Sequence, residues 1–198
     1  SAGPVWIVPS ANSATPTGSL VFAYRRGGIR TTEAGVPLSA AGTAFRVYVE
    51  ALESIQPGLA IANTSSSAAT VKLELIDLNG APVAGTSLTL AANAQVAAFL
   101  NQIAGFQTLS LPFRGLLRIT SSAPVAVTGL RSRNNERGDF LITTTPPVPE
   151  SSSSSASELF FPHFADAGGY TTQFVLFSAG AGRPAGGTIR FLSQTGQP

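Results

Sequence analysis

The chain repeats itself, and the repeat runs across both of its ends. Residues 115–149 and residues 3–37 share one order of features: strand, Ser/Pro turn, strand, basic loop with glycine, Thr-rich strand, then Val-Pro. Residues 59–82 (LAIANTSSSAATVKLELIDLNGAP) match residues 174–198 (FVLFSAGAGRPAGGTIRFLSQTGQP) in the same way. Each pair is offset by roughly 115 residues, the size of one small β domain. Residues 38–148 therefore read as one complete unit. Residues 158–198 would supply the opening strands of a second unit, and residues 1–37 its closing strands. The counterpart of residues 83–112, about 30 residues, is missing from that second set. A sandwich lacking those strands has open backbone donors and acceptors and an uncovered apolar groove. The expectation is a slice of a tandem array, or a subunit that joins neighbouring copies of itself end to end.

The apolar fraction of 43% is enough for packed cores. No apolar run approaches the roughly 18 residues of a spanning helix, so no membrane span is expected. The net charge is +2, only 11% of residues are charged, and Lys72 is the one lysine. The pI near 9.5 thus reflects arginine in a charge-poor chain. A dense basic stripe is missing, and nucleic acid is not an expected partner. With no cysteine, disulfides and thiolate metal sites are excluded.

Strand patterns dominate. Phe45, Val47 and Val49 alternate with Arg46, Tyr48 and Glu50. Val71, Leu73 and Leu75 alternate with Lys72, Glu74 and Ile76, ahead of an Asn79-Gly80 turn. Leu88 and Leu90 continue this meander. Residues 116–120, 125–130 and 140–145 read as further strands, with Pro124 in a turn between the first two. One short helix is expected over residues 94–103, capped by Asn93 and ended by Gly105. A strand over residues 95–100 is the competing reading. Residues 149–157 form a Ser/Pro linker, or else a long exposed loop.

Little here suggests catalysis. His163 is the only histidine, with Asp166 three residues on, and nothing in the spacing gathers further metal ligands around it. No ordinary hydrolase triad can form unless His163 is its base. The cluster Asn134–Asp139 is read as a hairpin tip held by Arg–carboxylate pairs rather than a calcium loop. The Gly-rich run 179–187 lacks the Lys-Ser/Thr ending of a phosphate loop. Trp6, Tyr24 and Tyr48 are candidate ligand or interface aromatics, with core packing as the plainer role. Asn63-Thr64-Ser65 matches a glycosylation sequon. No catalytic, cofactor-binding or metal residues, and no cofactor, are expected.

The strings FPHFADAGGYTTQFVLF (161–177), TEAGVP (32–37), GTAFRVYVEA (42–51) and NERGDFLITTTPP (135–147) resemble repeats of large secreted proteins from environmental bacteria such as Acidobacteria. The resemblance covers nearly the whole chain. It implies tandem immunoglobulin-like β modules in an extracellular, non-catalytic setting, and it supplies no catalytic residues.

The reading is an all-β chain of two immunoglobulin-like β-sandwich units, with one short helix in the complete unit. The expected function is that of a secreted structural repeat module or filament subunit, assembling with neighbouring copies by strand pairing. A module binding carbohydrate or a surface partner, and an accessory domain of a secreted enzyme, are the alternatives.

Overall fold

The structure is a computed structural model and describes residues 3–150, 158–178 and 186–197. By contact the chain divides into a first unit, Ser1–Pro149, and a second, Glu150–Pro198. The expected division grouped residues 1–37 with 158–198; here residues 1–37 fall within the first unit. Most of the 149–157 linker and of the Gly-rich run 179–187 lies outside the described residues.

The first unit is all-β and sandwich-like. Its strands are β1 (Ser19–Arg26), β2 (Ile29–Pro37), β3 (Gly42–Ala51), β4 (Ile55–Asn63), β5 (Ala69–Asp77), β6 (Pro82–Leu90), β7 (Gln95–Phe99), β8 (Phe113–Asn134), β9 (Phe140–Thr145) and β10 (Val148–Pro149). The organising element is β8, 22 residues long. Its first half runs between β3 and β5, with β6 outside β5 and β10 outside β3. Its second half runs between β4 and β9, with β7 outside β4. Phe45, Val47, Leu73, Leu75, Leu117 and Ile119 from the first set meet Leu59, Ile61, Val125 and Val127 from the second in one core. The period-two alternation of β3 and β5 is what turns these residues to one face.

Two sequence readings change. The strands at residues 116–120 and 125–130 are one continuous strand that bends between them. Hydroxyls and carbonyls satisfy the bend: Ser122 Oγ accepts from Thr70 N–H at 2.9 Å, and the Pro124 carbonyl accepts from Thr64 N–H at 3.2 Å and Thr64 Oγ1 at 2.9 Å. Pro124, without an N–H, loses no ladder bond there. Nor is the stretch after Asn93 an α-helix. Asn93 sits at φ 60°, in a turn closed by Ala94 N–H donating to Ala91 O. Gln95–Phe99 then pairs with β4, so sheet pairing overrides the helix propensity of its alanines. Only a 3₁₀ turn, Leu100–Gln102, follows. The N–H groups of Ile103, Phe106 and Leu109 each bond the carbonyl three residues back. The apolar spacing 100, 103, 106 is thus a period of three, which suits 3₁₀ turns better than an α-helix.

The β1–β2 hairpin turns at Gly27 and Gly28, both at positive φ. It rests beside β9 through side chains. Ile142 N–H donates to Thr32 Oγ1 at 3.2 Å, Thr32 Oγ1 donates to Ile142 O at 3.3 Å, and Thr144 Oγ1 donates to Gly35 O at 2.7 Å.

The second unit has no strand among its described residues, and its one isolated bridge joins Ala167 to Tyr170.

Candidate assembly surface

Although its described residues form no strand, the second unit has turns like those of the first. In the first unit, the β3–β4 turn is closed by Ile55 N–H donating to Leu52 O at 3.3 Å. Roughly 115 residues on, Tyr170 N–H donates to Ala167 O at 3.1 Å. The β5–β6 turn is closed by Gly80 N–H to Asp77 O at 3.0 Å and Asp77 N–H to Ala81 O at 2.9 Å. Its counterpart has Gly196 N–H to Ser193 O at 2.9 Å and Ser193 N–H to Gln197 O at 2.7 Å. Even the side chain is matched: Asp77 Oδ1 accepts from Ala81 N–H at 2.8 Å, and Ser193 Oγ accepts from Gln197 N–H at 3.1 Å. Gly80 and Gly196 share a positive φ, 87° and 81°. Aligned on these turns, residues 158–166 correspond in sequence to β3, residues 174–178 to the core half of β4, and residues 187–193 to β5.

The matched positions differ in burial. Phe45, Ile61 and Leu73 are at most 1% exposed, whereas their counterparts Phe160, Leu176 and Ile189 are 80%, 61% and 51% exposed. Some apolar packing remains. Phe174 lies edge-on to Phe161 at 5.3 Å and to Phe191 at 5.7 Å between ring centres, and Phe164 lies 5.4 Å from Phe191. Phe164, Phe174 and Phe191 match Val49, Leu59 and Leu75, all in the first unit's core. Among its described residues the second unit thus leaves much of a core-like pattern exposed.

The chain was compared with known proteins. Neither a family model nor a curated protein matches it. Among solved structures it is similar to Thermotoga maritima 1070, with 12% identity over 52% of this chain and 94% of that one, at a TM-score of 0.41. It is also similar to the Anabaena sensory rhodopsin transducer, with 18% identity over 46% of this chain and 98% of that one, at a TM-score of 0.39.

The three candidate aromatics are not brought together; among the described residues no ring contact joins two of them. Trp6 lies before β1, outside any strand, and is about half exposed. Tyr24 is edge-on to Phe140, with ring centres 5.3 Å apart, and remains exposed. Tyr48 lies on β3, and its hydroxyl is buried without a hydrogen-bond partner. Burial, followed by the charge of Glu50, pushes the Tyr48 hydroxyl pKa up.

Glu50 is a feature that sequence reasoning missed. It is 6% exposed and bridges the two halves of β8. Arg114 Nε donates to Oε1 at 2.8 Å, and Arg131 Nη2 donates to Oε2 at 2.7 Å. Burial pushes the carboxyl up, but hydrogen bonds and charge from Arg131 and Arg114 hold it below its ordinary value. Position 165, the match of Glu50, is alanine, so this pin belongs to the first unit alone. The hairpin tip at residues 134–139 holds one Arg–carboxylate pair, Arg133–Glu136, and is organised further by Asn135, whose Oδ1 accepts from the N–H groups of Arg137 and Asp139.

The sequon asparagine, Asn63, is fully buried. Its amide donates to the carbonyls of Ser67, Leu90 and Ala91, and its Oδ1 accepts from Ser65 N–H and Oγ. It is a structural bracket, closed to glycan attachment in the folded chain. His163 is exposed, and among the described residues no three His, Asp or Glu side chains converge to hold a metal. No described helix is long and apolar enough to cross a membrane.

Proposed function

We propose that this protein is a non-catalytic structural module that assembles with neighbouring copies through strand pairing. It serves as a repeat module or filament subunit in an extracellular setting, and its sandwich is of the immunoglobulin-like type. One observation carries this reading: the second unit has turns and an apolar pattern like those of β3 to β5, but its described residues form none of their ladder. Strand addition supplies what is missing, with backbone bonds for strength and alternate side chains for register. Burying an exposed Leu, Ile or Phe is worth about 1.5–3 kcal/mol. A few such side chains only match the roughly 4–15 kcal/mol that association costs. The ladder bonds therefore decide, and assembly depends on concentration. The extracellular setting and the immunoglobulin-like type rest on the motif resemblance. Sedimentation of the full chain over a range of concentrations tests the proposal, with negative-stain electron microscopy of the same samples. Mass that grows with concentration, and elongated particles, are expected. A chain that stays monomeric at every concentration refutes it.

A further inference from the structure

We propose that residues 3–10 of one copy form the strand that closes the second unit of another copy. This rests on the assembly reading above and names its donor. In the first unit, the first half of β8 closes the core by lying between β3 and β5. Ile119 is opposite Phe45 and Leu73, and Leu117 is opposite Val47 and Leu75. In the internal repeat, residues 3–8 hold the places of residues 115–120. Val5 and Ile7 thus stand for Leu117 and Ile119, two of the most buried residues in the chain. Yet Val5 and Ile7 are 74% and 51% exposed and lie outside any strand.

The register follows from the matched turns. With residues 158–166 in the place of β3 and residues 187–193 in that of β5, Ile7 comes opposite Phe160 and Ile189. Val5 comes opposite Pro162 and Phe191. Apolar residues left in solvent on the donor thus meet apolar residues left in solvent on the acceptor.

Two further observations fit this insertion. A Cβ on Gly115 would come within 2.2 Å of the Ile76 carbonyl, so β8 needs a glycine there to approach β5. Gly3 holds the same place, although nothing lies within 4 Å of its own Cβ position. Its lack of a side chain has no use in the free segment, and it clears the carbonyl of Leu192, the match of Ile76, once the strand is inserted. Pro4 and Pro9 bracket the segment and confine its ladder donors to residues 5–8, a short strand with defined ends. The β1–β2 hairpin, held on β9 by Thr32 and Gly35, anchors the donor to its own subunit. Contact between the front of one copy and the back of another is heterologous, so the product is a chain of subunits, open unless its rotation closes a ring.

The absence of native cysteine makes cross-linking clean. Full-length Ile7→Cys and Ile189→Cys chains are mixed and treated with a short bismaleimide. A mixed dimer is expected, and the double variant Ile7→Cys/Ile189→Cys should give a ladder of oligomers. A double variant that closes on itself as a monomer overturns the proposal. So does a Val8→Cys chain that links to Ile189→Cys as well as Ile7→Cys does, because residue 8 faces the other way. Ile7→Asp should weaken association by roughly 100-fold or more, since it puts a charge into the closed core. Trp6→Asp, on the outer face, should not. The unfolding midpoint of the dissociated chain should be the same in both. If Ile7→Asp lowers that midpoint, the segment packs in its own chain and the proposal falls. If Ile7→Asp associates like the unaltered chain, assembly stands but another strand mediates it. If the unaltered chain never associates, the assembly reading itself has failed.

Discussion

Replacing Asn63 tests how far one buried amide holds the first unit together. Its Nδ2 lies 2.7 Å from Ser67 O, 2.9 Å from Ala91 O and 3.2 Å from Leu90 O. Its Oδ1 lies 3.0 Å from Ser65 N and 2.8 Å from Ser65 Oγ. The bracket thus ties the β4–β5 loop to the end of β6. In Asn63→Ala, Ser67 and Ala91 are exposed, so water can replace their donor. Leu90 is buried, and its carbonyl loses a donor that water cannot easily replace. One stranded acceptor costs about 1–3 kcal/mol and each solvated bond about 0.5–1.5 kcal/mol. The expected loss is about 3 kcal/mol. Asn63→Asp keeps the shape but aims a carboxylate at carbonyl oxygens. It should cost more, about 4 kcal/mol or above at neutral pH. Its folded-state pKa must be raised, because only the protonated acid can donate. The extra penalty of Asp over Ala should therefore be small below the unfolded value, near 3.9, and grow as pH rises through the folded value. Urea unfolding followed by circular dichroism, at acid and neutral pH, measures both terms. Asn63→Ala within about 0.5 kcal/mol of the unaltered chain would refute the bracket. So would an Asp variant whose deficit does not change with pH.

Arg131→Ala leaves Glu50 buried with half its partners and should cost about 2 kcal/mol, less than for a fully buried pair because Arg131 is partly solvated; urea unfolding of this variant checks it, and a loss under about 0.5 kcal/mol would show the pin to be idle. Because the folded pKa of Glu50 is lowered, its contribution is fully present above the ordinary carboxyl value and fades as pH falls through the folded one. The Glu50→Gln deficit should accordingly shrink in acid, and a deficit that grows there would reverse the assigned sign. Gly129→Ala would set a methyl 2.5 Å from Thr145 O and 2.6 Å from Val47 Cγ1; thermal unfolding should register roughly 1–3 kcal/mol of overpacking. Leu73→Asp places a charge in the core and should cost on the order of 3 kcal/mol or more, while Lys72→Asp on the outer face costs far less; equal losses would mean the strand register is wrong.

The sequence by itself determined the elements whose evidence is local. Alternation in β3 and β5 put Phe45, Val47, Val49, Val71, Leu73 and Leu75 inside, because a strand has a period of two whatever its partners. Asn79-Gly80 marked its turn because a left-handed residue favours glycine. Two turns of the second unit have the same hydrogen bonds as two turns roughly 115 residues earlier. What only the tertiary structure decided depends on distant pairing. Gln95–Phe99 is rich in alanine and reads equally well as helix; the exposed ladder of β4 made it a strand. Residues 116–120 and 125–130 look like two strands, and they are one because β8 has partners on both sides along each half. Glu50 carries no local signal, since its two arginines come from opposite ends of β8. Asn63 looks like a glycosylation site from three letters of sequence, and only the fold turns its amide inward. Residues 3–10, 158–166 and 187–193 show the limit from the other side: their pattern is that of core strands, but pattern alone forms no ladder, and a strand needs a neighbour to bond.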